Sequence, residues 1–222
     1  MFKKALIAED QDVINNGVVS TLKELNVEKI EHSQYCDEAL LKIKKSYKER
    51  KPYEVFICDL SFVKDHHEQK INSGVDLIEA VRKEFSDIKI IVFSIEDRKF
   101  TIQNLFNNHR INGYVLKSRN GARELKKAVQ ECYETDSKYI SPELNGVLSS
   151  KNVIEINDFD IFIIQCLSEG SLQEAISIEL KKQGKSPSSI SAIEKRIKLL
   201  KENFNAKNPT HLVSLAKDLG LI

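Results

Sequence analysis

Short apolar runs alternate with longer segments of helical period along the first 134 residues. The runs at residues 5–8, 55–58 and 88–93 have almost no polar interruption, which is typical of parallel strands buried on both faces. A weaker strand is indicated around residues 29–32, and a further run lies at residues 113–116. Between the runs, apolar residues recur every three or four positions, which predicts helices. The alternation predicts five βα units and an α/β fold built on a five-stranded, parallel, doubly wound sheet.

The pattern changes after residue 134. Residues 135–152 show little periodicity and contain Pro142, Gly146 and a Ser-Ser pair, a composition that is typical of a linker. From residue 153 onwards, helical period dominates and no long strand is indicated. The sequence therefore predicts an α/β domain at residues 1–134, a linker at 135–152 and a small all-α domain at 153–222.

The composition is that of an ordinary soluble protein, with 222 residues of which 41% are hydrophobic and 30% charged. The formal net charge of +1 gives no whole-chain indication of nucleic acid or membrane, so any such signal has to be local. No window approaches the ~20 apolar residues of a membrane span, and the first apolar run is too short for a signal peptide. The four cysteines lie far apart without a Cys-x-x-Cys pair, which indicates reduced thiols. We expect a cytoplasmic protein without a membrane anchor.

Charged and hydroxyl side chains follow the predicted strands at the points where the strands end. Glu9 and Asp10 follow the first strand, Asp59 the third, Ser94 the fourth and Lys117 the fifth. An isolated Asp after a strand most often caps the next turn. In a doubly wound sheet, however, right-handed crossovers bring the carboxyl ends of the strands to one edge, where ligands bind. We expect these five side chains to converge at that edge.

The convergence of three carboxylates predicts a metal site and phosphoryl chemistry. Crowded carboxylates repel one another and stay ionised when a divalent cation shares them. Mg²⁺ is the usual ion where a few carboxylates and a phosphoryl oxygen supply the ligands. A carboxylate beside Mg²⁺ can attack a phosphoryl group and form an aspartyl phosphate. Lys117 would then neutralise the phosphoryl oxygens, and the Ser94 hydroxyl would donate a hydrogen bond to one of them.

At these residues the chain resembles the receiver domain of bacterial two-component response regulators, which has a flavodoxin-like fold, over about residues 1–134. The resemblance rests on a combination of residues: Glu9-Asp10, Asp59, Ser94 and Gly113-Tyr114-Val115-Leu116-Lys117. It implies that Asp59 is the phosphoacceptor. It implies that Mg²⁺ is bound by Asp10, Asp59 and the backbone carbonyl of Ser61, with Glu9 nearby. It also implies that Ser94 and Tyr114 form the switch pair of the domain.

The chain departs from the family beside this site. Phe62-Val63 stand where family members usually have Met-Pro, and Ser118 stands where they have a Pro after the lysine. Because a non-proline cis bond costs ~3 to 4 kcal/mol, the sequence leaves open whether the peptide after Lys117 is cis. The stretch from residue 59 to residue 74 is also longer than usual. We interpret its His66-His67 pair as part of a solvated loop rather than a metal site, since adjacent histidines point apart.

The C-terminal domain resembles a LuxR-type (NarL/FixJ-like) helix-turn-helix domain at residues 208–222 and around residues 167–170. The resemblance implies that the helix from about residue 188 to residue 204 is the recognition helix. Its apolar stripe consists of Ile190, Ile193, Ile197, Leu200 and Phe204. The side chains available to DNA are Ser191, Lys195, Arg196 and Lys198, with Lys181 and Lys182 before the helix. Residues 181–207 hold eight basic and two acidic side chains, a local charge of +6.

Two substitutions weaken this second resemblance. Glu194 stands where the family commonly has a Lys, and Arg196 replaces a common His. The alternative is that these charges form a solvated helix face that binds a protein.

Both resemblances together imply a response regulator that is phosphorylated on Asp59 by a sensor histidine kinase and regulates transcription by binding promoter DNA as a homodimer. Such a protein is a switch that catalyses only its own phosphoryl transfer and dephosphorylation, rather than a metabolic enzyme. One alternative is a phosphorylation-controlled adaptor whose helical domain binds a protein. Another is a phosphatase that uses Asp59, although no second acid or base is evident.

Overall fold

The computed structural model describes residues 1–63, 66, 68–135, 137–148, 156–218 and 221–222. The chain divides into two compact units. One consists of Met1–Asp97 and Ile102–Ser149, and the other of Arg98–Thr101 and Ser150–Ile222. Within the described ranges, no helix is both long enough and apolar enough to cross a membrane.

The first unit contains a parallel sheet. Its strands are β1 (Lys4–Ala8), β2 (Lys29–Ser33), β3 (Val55–Cys58), β4 (Lys89–Ser94), β5 (Gly113–Leu116) and β6 (Tyr139–Ile140). Their order across the sheet is β2-β1-β3-β4-β5-β6, and every neighbouring pair is parallel. The residues of β3 are all buried, as expected for a strand that is covered on both faces.

Helices cover both faces of this sheet. They are α1 (Asp12–Glu24), α2 (Cys36–Lys48), α3 (Gly74–Glu84), α4 (Lys99–Asn107) and α5 (Gly121–Glu134). Buried side chains of α1 and α5, such as Leu22 and Leu125, form one core with the sheet, and those of α2 and α3, such as Ile43 and Leu77, form another. The predicted doubly wound α/β fold is therefore confirmed.

The sheet has a sixth strand that the sequence did not predict. In β6, Tyr139 pairs with Gly113 and Ile140 pairs with Tyr114 of β5. A 3-10 helix at Pro142–Leu144 follows, and Leu144 is buried in the core of this unit. Two residues are too few to show the alternation that reveals a strand, which is why this part of the chain reads as a linker. Residues 139–148 therefore pack with the first unit rather than forming part of a linker.

The second unit is helical throughout its described residues. Its helices are α6 (Asp158–Ser168), α7 (Gln173–Lys182), α8 (Ile190–Phe204) and α9 (Pro209–Asp218). One cluster joins Ile163 of α6 to Ile193 and Ile197 of α8, and a second joins α8 to α9 through Leu200 and Leu212. The helix predicted at residues 188–204 is α8, which begins two residues later than predicted and ends at Phe204. Its N-terminus is capped by the Ser189 hydroxyl, which accepts the Ala192 amide at 3.3 Å.

Candidate functional site

The predicted charged side chains follow the carboxyl ends of the strands directly or by one residue, and Ser94 is the last residue of β4. Backbone hydrogen bonds that continue the sheet hold three of these residues in place. The Glu9 amide donates to the Ser33 carbonyl at 3.1 Å, the Asp59 amide to the Ala8 carbonyl at 3.0 Å and the Lys117 amide to the Ser94 carbonyl at 2.8 Å. The parallel register therefore places acid and lysine side chains at one edge.

Lys117 bridges two carboxylates at this edge. Its Nζ lies 2.7 Å from Glu9 Oε2 and 2.7 Å from Asp59 Oδ2. The three side chains are only 9%, 2% and 3% exposed, respectively. Burial raises the pKa of Glu9 above its ordinary value, and the Lys117 ammonium opposes that rise. The cluster therefore concentrates charge where water is largely excluded.

The remaining carboxylate atoms suit a hard cation. Oxygen atoms of Glu9, Asp10 and Asp59 all lie within 4.8 Å of one another. In the described part of the chain, Asp10 Oδ1 is one of the few buried polar side-chain atoms without a hydrogen-bond partner, whereas Asp10 Oδ2 accepts the Val63 amide at 2.7 Å. An orphaned buried carboxylate oxygen is costly unless a cation or water satisfies it. The donor set of carboxylate oxygens is the one that Mg²⁺ prefers.

Asp59 has a fixed carboxylate orientation. Its Oδ1 accepts the Leu60 amide at 2.6 Å, while Oδ2 accepts from Lys117. Ser61, whose carbonyl is the third predicted metal ligand, is two positions further along and exposed. The oxygen on the Lys117 side is therefore the one that faces the other charged groups.

Gly74 supports this site in a way that sequence reasoning missed. A Cβ at this position would lie 1.9 Å from the Asp59 carbonyl oxygen, a distance that no side chain can occupy. The Gly74 amide also donates to the Leu60 carbonyl at 3.0 Å, which closes the long loop after Asp59. No cap pattern signals this role, because Ser73 supplies the N-cap of α3 and Gly74 is the first residue of the helix. Here the glycine is needed for close backbone approach rather than for a turn.

Ser94 and Tyr114 are both fully buried, and the same backbone segment links them. The Tyr114 hydroxyl donates to the Glu96 carbonyl at 2.7 Å, and the Glu96 amide makes a long contact of 3.5 Å to the Ser94 hydroxyl. The structure thus connects the two predicted switch residues through Glu96.

The structure shows the local conformation at the positions where the sequence departs from the receiver pattern. Among the described residues, the only cis peptide bond precedes Pro187, so the bond between Lys117 and Ser118 is trans. Instead of fixing a cis turn, the Ser118 hydroxyl donates to Glu143 at 3.1 Å. His66 is exposed, and His67 lies outside the described residues.

The predicted DNA contacts are exposed side chains of the second unit, with one exception. Ser191, Lys195 and Lys198 are exposed on α8, and Lys181 and Lys182 are exposed at the end of α7. We call this set the basic face. Of the predicted apolar stripe, Ile193, Ile197, Leu200 and Phe204 are buried, while Ile190 is 40% exposed at the first position of α8.

Arg196 is the exception. Its guanidinium makes a two-point ion pair with Asp160, from Nε to Oδ1 and from Nη2 to Oδ2, each at 2.5 Å. The Arg196 side chain is 23% exposed and Asp160 is fully buried. The hydrogen bond with Asp160 raises the pKa of Arg196 further above its ordinary value. This geometry favours a structural role for Arg196 over the DNA contact that the sequence suggested.

Comparison with known proteins gives matches at the level of structure. No protein-family model matches the chain, and no curated protein matches it. A structure of the two-component response regulator RcsB in complex with DNA aligns with a TM-score of 0.68 and 19% identity, covering 98% of each chain. RcsB from Salmonella enterica serovar Typhimurium, bound to promoter rprA in the presence of the phosphomimetic BeF3⁻, aligns with a TM-score of 0.67 and 20% identity, covering 98% of this chain and 99% of that chain.

The first unit also matches by itself. The isolated REC domain of RcsB from the same Salmonella serovar covers 65% of this chain and 97% of that chain, with a TM-score of 0.51 and 20% identity. At these identities the likeness establishes the fold: an α/β unit of the receiver type followed by a helical unit, as the sequence predicted.

Proposed function

We propose that this protein is a response regulator in which Asp59 accepts a phosphoryl group from a sensor histidine kinase and the helical unit binds promoter DNA, with phosphorylation favouring a homodimer. The observation that carries the proposal is the buried contact of Lys117 with both Asp59 and Glu9 at the carboxyl edge of a receiver-type sheet. The structural neighbours support the output, since they are described as RcsB dimers on DNA and RcsB on promoters. With such a kinase as its partner, the protein would act in the cytoplasm.

The geometry supports in-line phosphoryl transfer to Asp59. Its Oδ2 would attack the phosphorus, the bond from phosphorus to the donor nitrogen or oxygen would break, and the donor would keep that electron pair. Lys117 is already within hydrogen-bond distance of Oδ2, so it would move with little cost to the new phosphoryl oxygens. A Mg²⁺ ion held by Asp10, Asp59 and the Ser61 carbonyl, with Glu9 beside it, would neutralise phosphoryl charge.

Ser94 and Tyr114 offer a path for the signal. If the Ser94 hydroxyl turned toward a phosphoryl oxygen, its contact with the Glu96 amide would change. The Glu96 carbonyl is where the Tyr114 hydroxyl is bound, so the position of the Tyr114 ring depends on the same segment. Tyr114 also pairs with Ile140 of β6, and we therefore place the boundary of the receiver domain after residue 148 rather than after 134.

The helical unit offers the basic face to nucleic acid. Lys181 and Lys182 would contact phosphates, whereas Ser191, Lys195 and Lys198 on α8 would reach base edges in the major groove. The adaptor alternative remains the competing proposal, because an exposed basic face also suits an acidic protein surface.

Two experiments test the two halves of the proposal separately, and the first concerns the phosphoacceptor. The full chain is incubated with Mg²⁺ and acetyl phosphate and examined by intact-mass spectrometry. We expect one acid-labile phosphoryl group, which is lost in Asp59→Asn, strongly reduced in Asp10→Asn and unchanged in the control Asp87→Asn, which alters an exposed aspartate. Equal labelling of Asp59→Asn would refute the phosphoacceptor assignment. Turnover of a phosphate ester beyond one equivalent would favour the phosphatase alternative.

The output half is tested by recovery of genomic DNA fragments with phosphorylated and unphosphorylated protein. We expect enrichment of a limited set of fragments, with an amount that changes on phosphorylation. Labelling of Asp59 without any enrichment of DNA would favour the adaptor.

A further inference from the structure

Asp160 of α6 and Arg196 of α8 form a directional contact between the two helices. Asp160 lies in the first turn of α6, is fully buried and uses both carboxylate oxygens on the Arg196 guanidinium. Its Oδ2 also accepts the Asn157 amide at 3.0 Å, and Asn157 Oδ1 accepts the Asp160 amide at 3.1 Å, which completes a capping box. One carboxylate thus binds the start of α6 to the middle of α8.

Apolar contacts between described residues also join these two helices. Ile163 of α6 packs with Ile193 and Ile197 of α8. Burial of aliphatic side chains is favourable but nearly independent of direction. A planar guanidinium paired with a planar carboxylate fixes distance and relative rotation together. The apolar stripe sets the coarse rotation of α8, and the Asp160–Arg196 pair adds a directional constraint to it.

That rotation decides where the basic face points. At about 100° per residue, Ser191, Lys195 and Lys198 lie roughly 140°, 100° and 160° around the helix from Arg196, all in the same sense. When Arg196 is held against α6, these three side chains are directed away from it, in agreement with their exposure. A small turn of the helix would move all three together.

We infer that Asp160 and Arg196 are a positioning pair that fixes the rotation of α8 and so determines how well the basic face discriminates one DNA sequence from another. The inference rests on the proposed function, in which this unit binds DNA. It assigns Arg196 an indirect effect on discrimination and Asp160, which no sequence pattern pointed to, an equal one.

A double-mutant cycle in the full chain tests this inference. The variants are Asp160→Asn, Arg196→Gln and the two combined, with Asp158→Asn as a control that alters an exposed carboxylate in the same turn of α6. The readout is the ratio of affinities for a selected site and a scrambled one across a salt series. We expect each single variant to lower that ratio by about tenfold and the double variant by about the same factor, because both remove one shared contact. Arg196→Lys, which keeps the charge but not the fork, should lower it as well, with an unchanged salt slope.

Other outcomes overturn the inference. If Arg196→Gln lowers both affinities while Asp160→Asn lowers neither, Arg196 contacts DNA directly. If the ratio is unchanged in every variant that folds, the pair is only structural. Single variants leave a buried charge without its partner and can fail to fold, so Asp160→Leu combined with Arg196→Met serves as the variant that removes both charges.

A measurement without DNA separates this inference from the proposed function. Residual dipolar couplings of the α6 and α8 amides in the full chain report the relative orientation of the two helices. We expect them to differ between the parent and the Asp160→Leu/Arg196→Met variant. Unchanged couplings overturn the positioning role whatever the protein binds. If the couplings differ between parent and variant but the parent prefers no DNA sequence, the positioning role stands and only the proposed function is refuted.

Discussion

The two units of the chain use charged side chains in opposite ways. At the edge of the sheet, Glu9, Asp59 and Lys117 are nearly inaccessible to water and in direct contact. On the helical unit, Lys195 and Lys198 are exposed on the surface of α8. A buried charge interacts strongly with its neighbours because the local dielectric is low, whereas an exposed charge is screened by water and salt.

In the first unit, a change to one charged side chain leaves the others buried without compensation, so stability depends on the same residues as the proposed phosphoryl transfer. In the helical unit, the exposed lysines can change without cost to folding, and their contribution would be visible only in binding. Arg196 is an intermediate case. It lies on α8 among exposed basic residues, but it forms an ion pair with the buried Asp160, as Lys117 does with buried carboxylates in the first unit.

The largest effect is expected from Lys117→Met. Without its ammonium group, Glu9 and Asp59 remain buried and unpaired, which should lower the free energy of unfolding by about 3 to 5 kcal/mol in the presence of EDTA. Mg²⁺ should restore part of that loss, because an ion that binds only the folded state stabilises it. Urea unfolding with and without Mg²⁺ measures both effects. The control Lys126→Met removes an exposed ion pair with Glu24 and should lower the free energy of unfolding by under about 1 kcal/mol. Equal losses of unfolding free energy in the two variants would contradict the contrast between buried and exposed charges.

The next effect tests the backbone that holds Asp59. Gly74→Ala would place a Cβ 1.9 Å from the Asp59 carbonyl oxygen, so the strand end has to shift, and we expect a loss of about 3 kcal/mol together with slower labelling of Asp59. Gly17→Ala is the matched control, because nothing lies within 4 Å of the added Cβ in α1 and the change should stabilise the helix by roughly 0.5 to 1 kcal/mol. Chemical denaturation and the rate of phosphorylation are the measurements. Normal labelling in Gly74→Ala would show that the position of Asp59 tolerates this shift.

The exposed lysines should affect binding alone. We expect at least one of Lys195→Gln and Lys198→Gln to lose about 1 to 3 kcal/mol of discrimination between a selected DNA site and a scrambled one. Lys181→Gln and Lys182→Gln should weaken binding to all sequences alike and reduce the salt slope by about 1. Affinities for selected and scrambled sites over a salt series distinguish the two patterns. None of the four should alter thermal unfolding by more than about 0.5 kcal/mol, and a larger change would show that the basic face is also structural.

The smallest effect concerns pH. The Tyr139 hydroxyl donates to Glu124 Oε2 and, with Lys127 and Arg123, lowers the pKa of Glu124 below its ordinary value of 4.5 against the effect of burial. A depressed pKa in the folded state gives stability that is complete above pH 4.5 and is lost as the pH falls through the folded value. Tyr139→Phe should therefore cost about 1 kcal/mol at pH 7 and progressively less below pH 4.5. Urea midpoints from pH 7 to pH 3 measure the difference, and a constant gap would show that Tyr139 does not act through Glu124.

The sequence predicted the sheet and the convergence of Glu9, Asp59 and Lys117 because both follow from strand ends. Once residues 55–58 are identified as a buried strand, Asp59 has to lie at the carboxyl edge, and the same reasoning places Lys117. The sixth strand was missed because Tyr139 and Ile140 are too few to form a pattern. The role of Gly74 was missed because its close approach to Asp59 joins residues 15 positions apart.

The surface of α8 was harder to predict. Helical period separates the buried stripe from the rest, but it does not say which basic side chain is bound by a partner from another helix. Arg196 and Asp160 are 36 positions apart, and no spacing rule connects them. The assignment of Ile190 to the core failed at its end for a related reason, because the first turn of a helix often extends past its partner and Ile190 is 40% exposed.

The hydrogen bond from the Gly74 amide to the Leu60 carbonyl has a consequence for how this protein can diverge. It clamps the two ends of the loop after Asp59, so the number of residues between them is free to vary without moving the site. The entropy of closing a loop grows only with the logarithm of its length, by about 0.6 kcal/mol for each doubling. A unit with such a clamp can acquire a longer loop next to Asp59 at little thermodynamic cost. The stretch between residues 61 and 73 is then a region where new recognition can arise while the geometry around Asp59 stays unchanged.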